Sequence, residues 1–331
     1  IRLGNFYFLR RVFYQLRIAR MLISQRDDVD VVLFHELTAP VFLFLRNFMR
    51  LFTRRRPLFV MDSRSLLMIR DDKLNVRFRM RGLFLKMMNS LGNRFLDGRA
   101  AISDTMVESL SIPQNKLIAI WPSGVDLTLF SSVAEKRTWK QPLDEVNLIY
   151  TGCMHYERNL MNLAKAVVAI RQEGCNFNLT LIGDGDEIDD LKTYAVTTGE
   201  VVKVFDPVAH KEIPQWLLRA DIGVLPFPDE EKFNVSSPIK LFEYMAAGLA
   251  IYATQIVCHT SIHNADELFF WAKSADMEGL KEGLRKLWQQ RDQIESRGKL
   301  ANRIAQLYSW EKSAEKLSDG LIMMLEKRKR K

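Results

Sequence analysis

SSPIKLFEYMAAGLAIYAT, residues 236–254, reads as a short helix running into a buried strand. Ser237 is a natural N-cap, since its hydroxyl can accept from an orphan backbone N–H, and Pro238 suits the first helical position, where its missing N–H costs nothing. Gly248 ends the helix, and LAIYAT behind it has the length and composition of a strand. Phe242, Met245, Ala246 and Leu249 recur at i, i+3, i+4 and i+7, which makes them the packed face. Lys240 does not fit this pattern. A cation in the first turn opposes the positive end of the helix dipole, unless an anion such as a phosphate sits over the helix N-terminus. Glu243 lies too deep to close a capping box. The plainer alternative is that Lys240 reaches solvent and pairs with Glu243 at i, i+3. The stretch by itself leaves both open.

Outward from this helix, strands alternate with helices. Upstream in the same half, strands are expected at VNLIYTG, FNLTLIG, VVKVF and DIGVLPF, with a helix at IPQWLLR among those between them. The first half shows a helix over 5–26, a strand in VDVVLFHE, a helix in PVFLFLRNFMRLF and a strand in PLFVMD. A helix from Val76, strands at GRAAIS and KLIAIWP and a helix over 104–110 follow. The polar segment 131–145 reads as a linker, and the last 50 residues as helical. Such alternation implies parallel sheets covered on both faces. The expected architecture is α/β: two Rossmann-like domains facing a cleft, one over 1–135 and one over 136–305, with a C-terminal helix and basic tail over 306–331.

The 331 residues are 47% apolar and 27% charged, a balance that fits a globular chain and excludes a disordered one. Three scattered cysteines, 153, 175 and 258, form neither a disulfide framework nor a zinc cluster and fit a reducing cytoplasm. The longest apolar runs fall far short of a membrane span, and no signal peptide is visible. The net charge of +8 is uneven: residues 1–130 hold 21 Lys/Arg against 11 Asp/Glu, and the remainder 27 against 29. The excess is interleaved with apolar residues in FLRRVFYQLRIARMLI, FLRNFMRLFTRRRPLF and VRFRMRGLFLKMM, a pattern suited to an anionic membrane surface. Ordinary helices with solvated arginines are the alternative. Nucleic acid is disfavoured, because no nucleic-acid motif accompanies the charge.

The punctuation of the second half comes in a fixed order. LIYTGCMHYERNL ends a strand at Gly152 and supplies Arg158; LTLIGDGDEIDDL ends one at Gly183 and Gly185; VKVFDPVAHKEIPQWLLRADIGVLPF leads to the opening stretch. With WPSGVDLTLF upstream and YSWEKSAEKL downstream, this resembles glycosyltransferase family four, the group 1 sugar transferases of GT-B fold, over about residues 30–325. The resemblance implies a retaining transfer from a UDP- or GDP-sugar to a glycan or lipid-linked acceptor, with no cofactor, at the inner face of a membrane. By position, Glu243 matches the residue that bonds the nucleotide ribose, and Arg158 the basic residue that holds the diphosphate. Ser236, Ser237 and Pro238 open the phosphate-cradling helix, Gly152 shapes the loop, and Phe205 lies near the expected base. Lys240 fits the same anion, and His35, after a first-half strand, is placed near the donor sugar or serves as a structural histidine. Fixed cations and helix N–H groups aimed at a leaving diphosphate stabilise the charge that builds there, in place of a metal ion.

This chain departs from the family pattern at several points. The first of two glutamates expected around this helix falls on Val235, with Asp229, Glu230 and Glu231 near but out of register. Cys153 stands where arginine is frequent, and Ser123 where asparagine is. DGD at 184–186 mimics a metal-binding Asp-x-Asp but lies in the glycine loop, so no metal is expected. Asp62 is read as a turn cap or acceptor ligand, and His155 as solvated. A nicotinamide oxidoreductase is excluded by Ile188, which occupies the third fingerprint glycine of GDGDEI. A non-catalytic GT-B scaffold and a sugar-nucleotide epimerase remain as alternatives. The opening strand and glycine-rich loop of the family are not found ahead of the first helix. The chain is therefore expected to begin within the first domain, to bind a nucleoside diphosphate, and to transfer sugar poorly.

Overall fold

The computed structural model describes residues 4–25, 28–52, 56–66, 76–139 and 143–330. Among these residues ten strands form two all-parallel sheets. The first sheet holds β1 (Val31–His35), β2 (Leu58–Ser63), β3 (Gly98–Ala101) and β4 (Leu117–Ile120) in the order β1-β2-β3-β4. The second holds β5 (Val146–Cys153), β6 (Phe177–Asp184), β7 (Val202–Phe205), β8 (Ile222–Leu225), β9 (Ala250–Thr254) and β10 (Phe269–Ala272) in the order β10-β9-β8-β5-β6-β7. Nine of the ten strands fall where alternation and turn residues placed them. The tenth, β10, is the four-residue run FFWA paired to β9. A run that short has no resolvable period, so only its partner strand makes it legible.

The chain divides into two compact units. One runs to Pro122 and takes up Ala314–Lys331; the other is Ser123–Ser313. The division therefore falls after residue 122 rather than 135, and the basic C-terminal segment joins the first unit instead of standing apart. The helix Trp310–Lys329 is continuous through the change, and at Gly320 its backbone lies against Ile118 of β4.

In the first unit Phe34, Phe42, Met49, Phe59 and Met61 form the core, with Phe34 and Phe42 rings 4.6 Å apart. Two residues of its basic excess point inward. Arg46 and Arg56 both bond Asp97, at 3.0 Å and 2.8 Å, and Phe59 N–H donates to the same carboxylate. Burial alone would raise the Asp97 carboxyl; the Arg56 and Arg46 guanidiniums override it and hold it below its ordinary range. Arg99 is fully buried, donating to Ser63 Oγ and Asn89 Oδ1, with its guanidinium pushed down to about 10 by burial. These three arginines are structural, which corrects the reading of the whole excess as a surface feature. Arg54 and Arg55 lie outside the described residues.

In the second unit β9 is buried at all five positions and β8 at all four, as parallel strands covered on both faces are. Helices Leu160–Gln172 and Met277–Gln289 pack on one another, as do Ile239–Ala246 and Ile294–Ala305. The expected linker is also corrected. Residues 131–134 complete the helix Leu127–Ala134, which buries Phe130 and Val133 under an Asp126 cap. Arg137 then donates to the carbonyls of Leu217, Ala220 and Ala247, placing a cation at the carbonyl ends of two helices. A polar composition concealed this anchoring, because the carbonyls that Arg137 bonds are remote in sequence.

Candidate functional site

The order of the second sheet reverses at β5, which pairs with β6 on one side and β8 on the other. Open α/β sheets bind ligands outside the carboxyl ends of their strands at such a point. A pocket of about 430 Å³ lies there, lined by Thr151 and Gly152 of β5, Ile182 and Gly183 of β6, Val208 and His210 beyond β7, and Lys240 and Glu243 of the helix Ile239–Ala246.

Two glycines open the floor. Gly152 and Gly183 are register partners at the strand ends, with φ of +119° and +154°. A Cβ at Gly183 would lie 1.8 Å from the Gly152 carbonyl oxygen, so no side chain fits. The helix wall is pinned to β5 by Thr151 N–H, which donates to Tyr244 Oη at 2.9 Å. Its packed face is as expected, with Phe242, Met245, Ala246 and Leu249 all buried and Gly248 at φ +73° ending it. The N-terminus differs by one residue. Pro238, not Ser237, is the N-cap, and no side chain caps the helix. The Ser237 hydroxyl instead accepts from the buried Ser123 N–H at 3.0 Å, a partner 114 residues away. Ser236 is hydrogen-bonded to the Cys258 thiol, which burial pushes up to about 12.

The question left open at Lys240 is answered by its neighbours. It makes no pair with Glu243; the Glu243 carboxylate is engaged by His210, Nε2 to Oε1 at 2.8 Å. Lys240 runs over Gly152, its Nζ 5.9 Å from the Tyr150 ring centroid. Burial first, and then the charge of Arg158, lower its pKa. Arg158 ends the turn Tyr156–Arg158, its guanidinium 4.9 Å from the Phe227 ring centroid. Among the described residues neither Lys240 nor Arg158 has a carboxylate partner. Two cations, one of them half-buried, thus stand near each other beside the first turn of a helix. Unpaired positive charge and free helix N–H groups are the features that favour an anion.

Other expected residues lie elsewhere. Arg158 is not in the pocket wall itself but acts on Lys240 through its field. Phe205 ends β7 and packs on Trp216 at 4.8 Å; Pro207, Val208 and Ile213, not Phe205, line the pocket. His35 ends β1 in the first unit, where its Nε2 is 2.9 Å from Glu36; that bond raises its pKa against the effect of burial. Asp62 does not cap a turn but accepts from Trp121 Nε1 at 2.9 Å, and burial raises its pKa. His155 is not simply solvated, since its Nδ1 lies 3.2 Å from Asp186 Oδ1. That bond and Tyr156 N–H engage one oxygen of the DGD motif, and Asp184 Oδ1 accepts from Gly185 N–H. No group of three metal-ligating side chains forms among the described residues. Val235 is buried, and Glu230 pairs with Lys232. Sequence reading missed His210; its one trace was a histidine in the turn between two recognised strands.

Residues 145–290 match the group 1 glycosyl transferase family. That segment spans β5 through β10 and carries every residue of the Lys240–Glu243 helix. No curated protein matches the chain. Among solved structures, HepE from Anabaena in complex with UDP-glucose is similar at 14% identity and a TM-score of 0.69, covering 93% of this chain and 82% of that one. A glycosyltransferase from Rickettsia africae gives 14% and 0.68, over 98% and 83%. Sucrose-phosphate synthase from Thermosynechococcus elongatus gives 17% and 0.64, over 90% and 73%. The resemblance to group 1 sugar transferases and the GT-B fold read from the sequence are those found here.

Proposed function

We propose that this chain is a glycosyltransferase that takes a sugar from a nucleoside diphosphate and passes it, with retention, to a glycan or lipid-linked acceptor. The observation that carries the proposal is a pair of cations without carboxylate partners among the described residues: Lys240, which lies over Gly152 in the opening turn of the helix Ile239–Ala246, and Arg158, whose charge acts on it. Such a pair is costly without an anion and fits a diphosphate. The solved HepE bound to UDP-glucose, and the family match over 145–290, support the donor class.

In the proposed reaction the bond between the anomeric carbon and the diphosphate oxygen breaks, and the acceptor hydroxyl oxygen bonds to that carbon. The hydroxyl proton leaves toward the departing phosphate, and charge grows on the diphosphate. Lys240 ammonium, Arg158 guanidinium and the amides of Ile239 and Lys240 meet that charge, in the role a metal ion plays elsewhere. Glu243, behind them in the same helix, accepts hydrogen bonds from the ribose hydroxyls. Val235 leaves the donor sugar without the carboxylate that relatives place there.

We further propose that the chain works at an anionic membrane surface, a reading that exposed side chains of the first unit support. Phe13, Tyr14 and Leu16 of the helix Gly4–Ser24, Phe44 and Leu51 of Ala39–Phe52, and Met80 and Leu83 of Val76–Phe95 are exposed. They stand among arginines, a combination suited to anionic headgroups at the cytoplasmic face. No helix of the described residues is long and apolar enough to cross a membrane.

The deciding experiment is calorimetric titration with UDP, GDP and their sugars. Glu243→Ala should weaken nucleotide binding by about ten- to a hundredfold, as loss of a charged hydrogen bond does. Unchanged affinity in a folded variant rejects the ribose assignment.

A further inference from the structure

Glu243 and His210 come from different parts of the second unit, one from the helix Ile239–Ala246 and one from the turn His210–Glu212 that follows β7. Both line the same pocket. The Glu243 side chain is 10% exposed and that of His210 63%, so the histidine reaches over the pocket mouth to an otherwise buried carboxylate. Their contact, Nε2 to Oε1 at 2.8 Å, is the only hydrogen bond of the Glu243 side chain among the described residues. On its other side the imidazole meets the Phe130 ring edge-on at 5.5 Å. Phe130 is fully buried in a helix capped by Asp126, so it is a fixed surface.

We infer that His210 is a positioning residue for donor recognition, fixing the Glu243 carboxylate so that it reads the two hydroxyls of a ribose. The inference rests on the donor-site reading above. An ionised carboxylate offers about four acceptor positions, of which the imidazole takes one. A carboxylate on a free side chain rotates and would accept a water as readily as a sugar hydroxyl. One held at Oε1, with its imidazole braced by Phe130, presents its remaining lone pairs in a single orientation. Discrimination between a substrate hydroxyl and its absence depends on buried acceptor lone pairs that are left unpaired when the hydroxyl is missing. His210 therefore affects nucleotide selectivity more than nucleotide affinity. Its donor nitrogen is Nε2 in this contact, so any side chain that supplies an N–H at the same reach can replace it.

The test is calorimetric titration of UDP and GDP, and of their 2′-deoxy counterparts, into the wild type, His210→Ala, His210→Gln and Glu243→Gln. Melting curves check that each variant is folded. The wild type should prefer a ribonucleotide over its deoxy form by about tenfold or more. His210→Ala should bring that preference to about threefold or less, and His210→Gln, which keeps an N–H donor, should retain most of it. A full ribose preference in His210→Ala overturns the inference, as does an equal loss of affinity for both sugar forms. Wild-type protein that binds neither nucleotide removes the donor site itself and this inference with it. Wild-type binding with an unaltered ratio in His210→Ala removes this inference alone.

Discussion

Gly152 and Lys240 exclude one another's growth: a Cβ at Gly152 would lie 2.1 Å from Lys240 Cε and 2.3 Å from its Nζ. The glycine holds φ +119°, so even a methyl group is strained there before it meets the lysine. The position of the ammonium is thus set by an absent side chain on the neighbouring strand. Gly152→Ala should displace Lys240 and weaken nucleoside-diphosphate binding by about tenfold or more, with a loss of about 1–3 kcal/mol in stability. Calorimetry and denaturant melts on the same preparation check both; full affinity in the variant would show that Lys240 does not meet the ligand.

Lys240 carries a cost that a bound anion would offset. Burial and the Arg158 charge both disfavour its ammonium, so Lys240→Met should raise the melting temperature of the ligand-free protein by a few degrees, roughly what relief of a small destabilisation gives. The same variant should lose turnover by about a hundredfold or more, and Arg158→Ala should lower turnover more than donor affinity. Steady-state kinetics beside thermal melts separate the two effects. A variant that loses affinity and keeps its turnover number contradicts the transition-state role.

His259 gives the second unit a pH dependence. It is fully buried, its Nδ1 2.8 Å from the Thr254 carbonyl oxygen, and burial pushes its pKa from 6.5 down to about 4. The unfolded chain binds a proton between those values and the folded chain does not, so stability rises with pH across that window. It is fully present above pH about 6.5 and lost as pH falls toward 4, by up to about 3 kcal/mol. Urea melts from pH 4 to 7 should show the slope in wild type and a smaller one in His259→Gln. An identical slope in both assigns the effect to other groups.

Membrane attraction should belong to the first unit and fall with salt, because part of it is electrostatic. Co-sedimentation with anionic vesicles should decrease when Phe44 and Leu51 are replaced by serine, and equal binding to neutral vesicles counts against the proposal. Arg56→Gln is unsuited to this test. It would break the Asp97 network and cost stability, of the order of 1–3 kcal/mol, rather than report on headgroups.

The sequence by itself determined the fold class and the location of the helix Ile239–Ala246. Parallel strands covered on both faces are nearly continuous apolar runs between glycine and helix signals, and β5, β8 and β9 carry that pattern locally. The helix Ile239–Ala246, its buried stripe and its Gly248 stop were likewise written in neighbours within four residues of each other. Tertiary structure decided which side chains meet. Glu243 sits three residues from Lys240 yet pairs with His210, 33 residues away; Ser237 leaves its own helix to hold Ser123; Arg137 leaves a polar segment to bond three distant carbonyls. Local periodicity follows from backbone geometry and is readable along the chain. Polar partnerships depend on which donor and acceptor the packed sheet brings within about 3 Å, and that distance is fixed only when the strands are assembled.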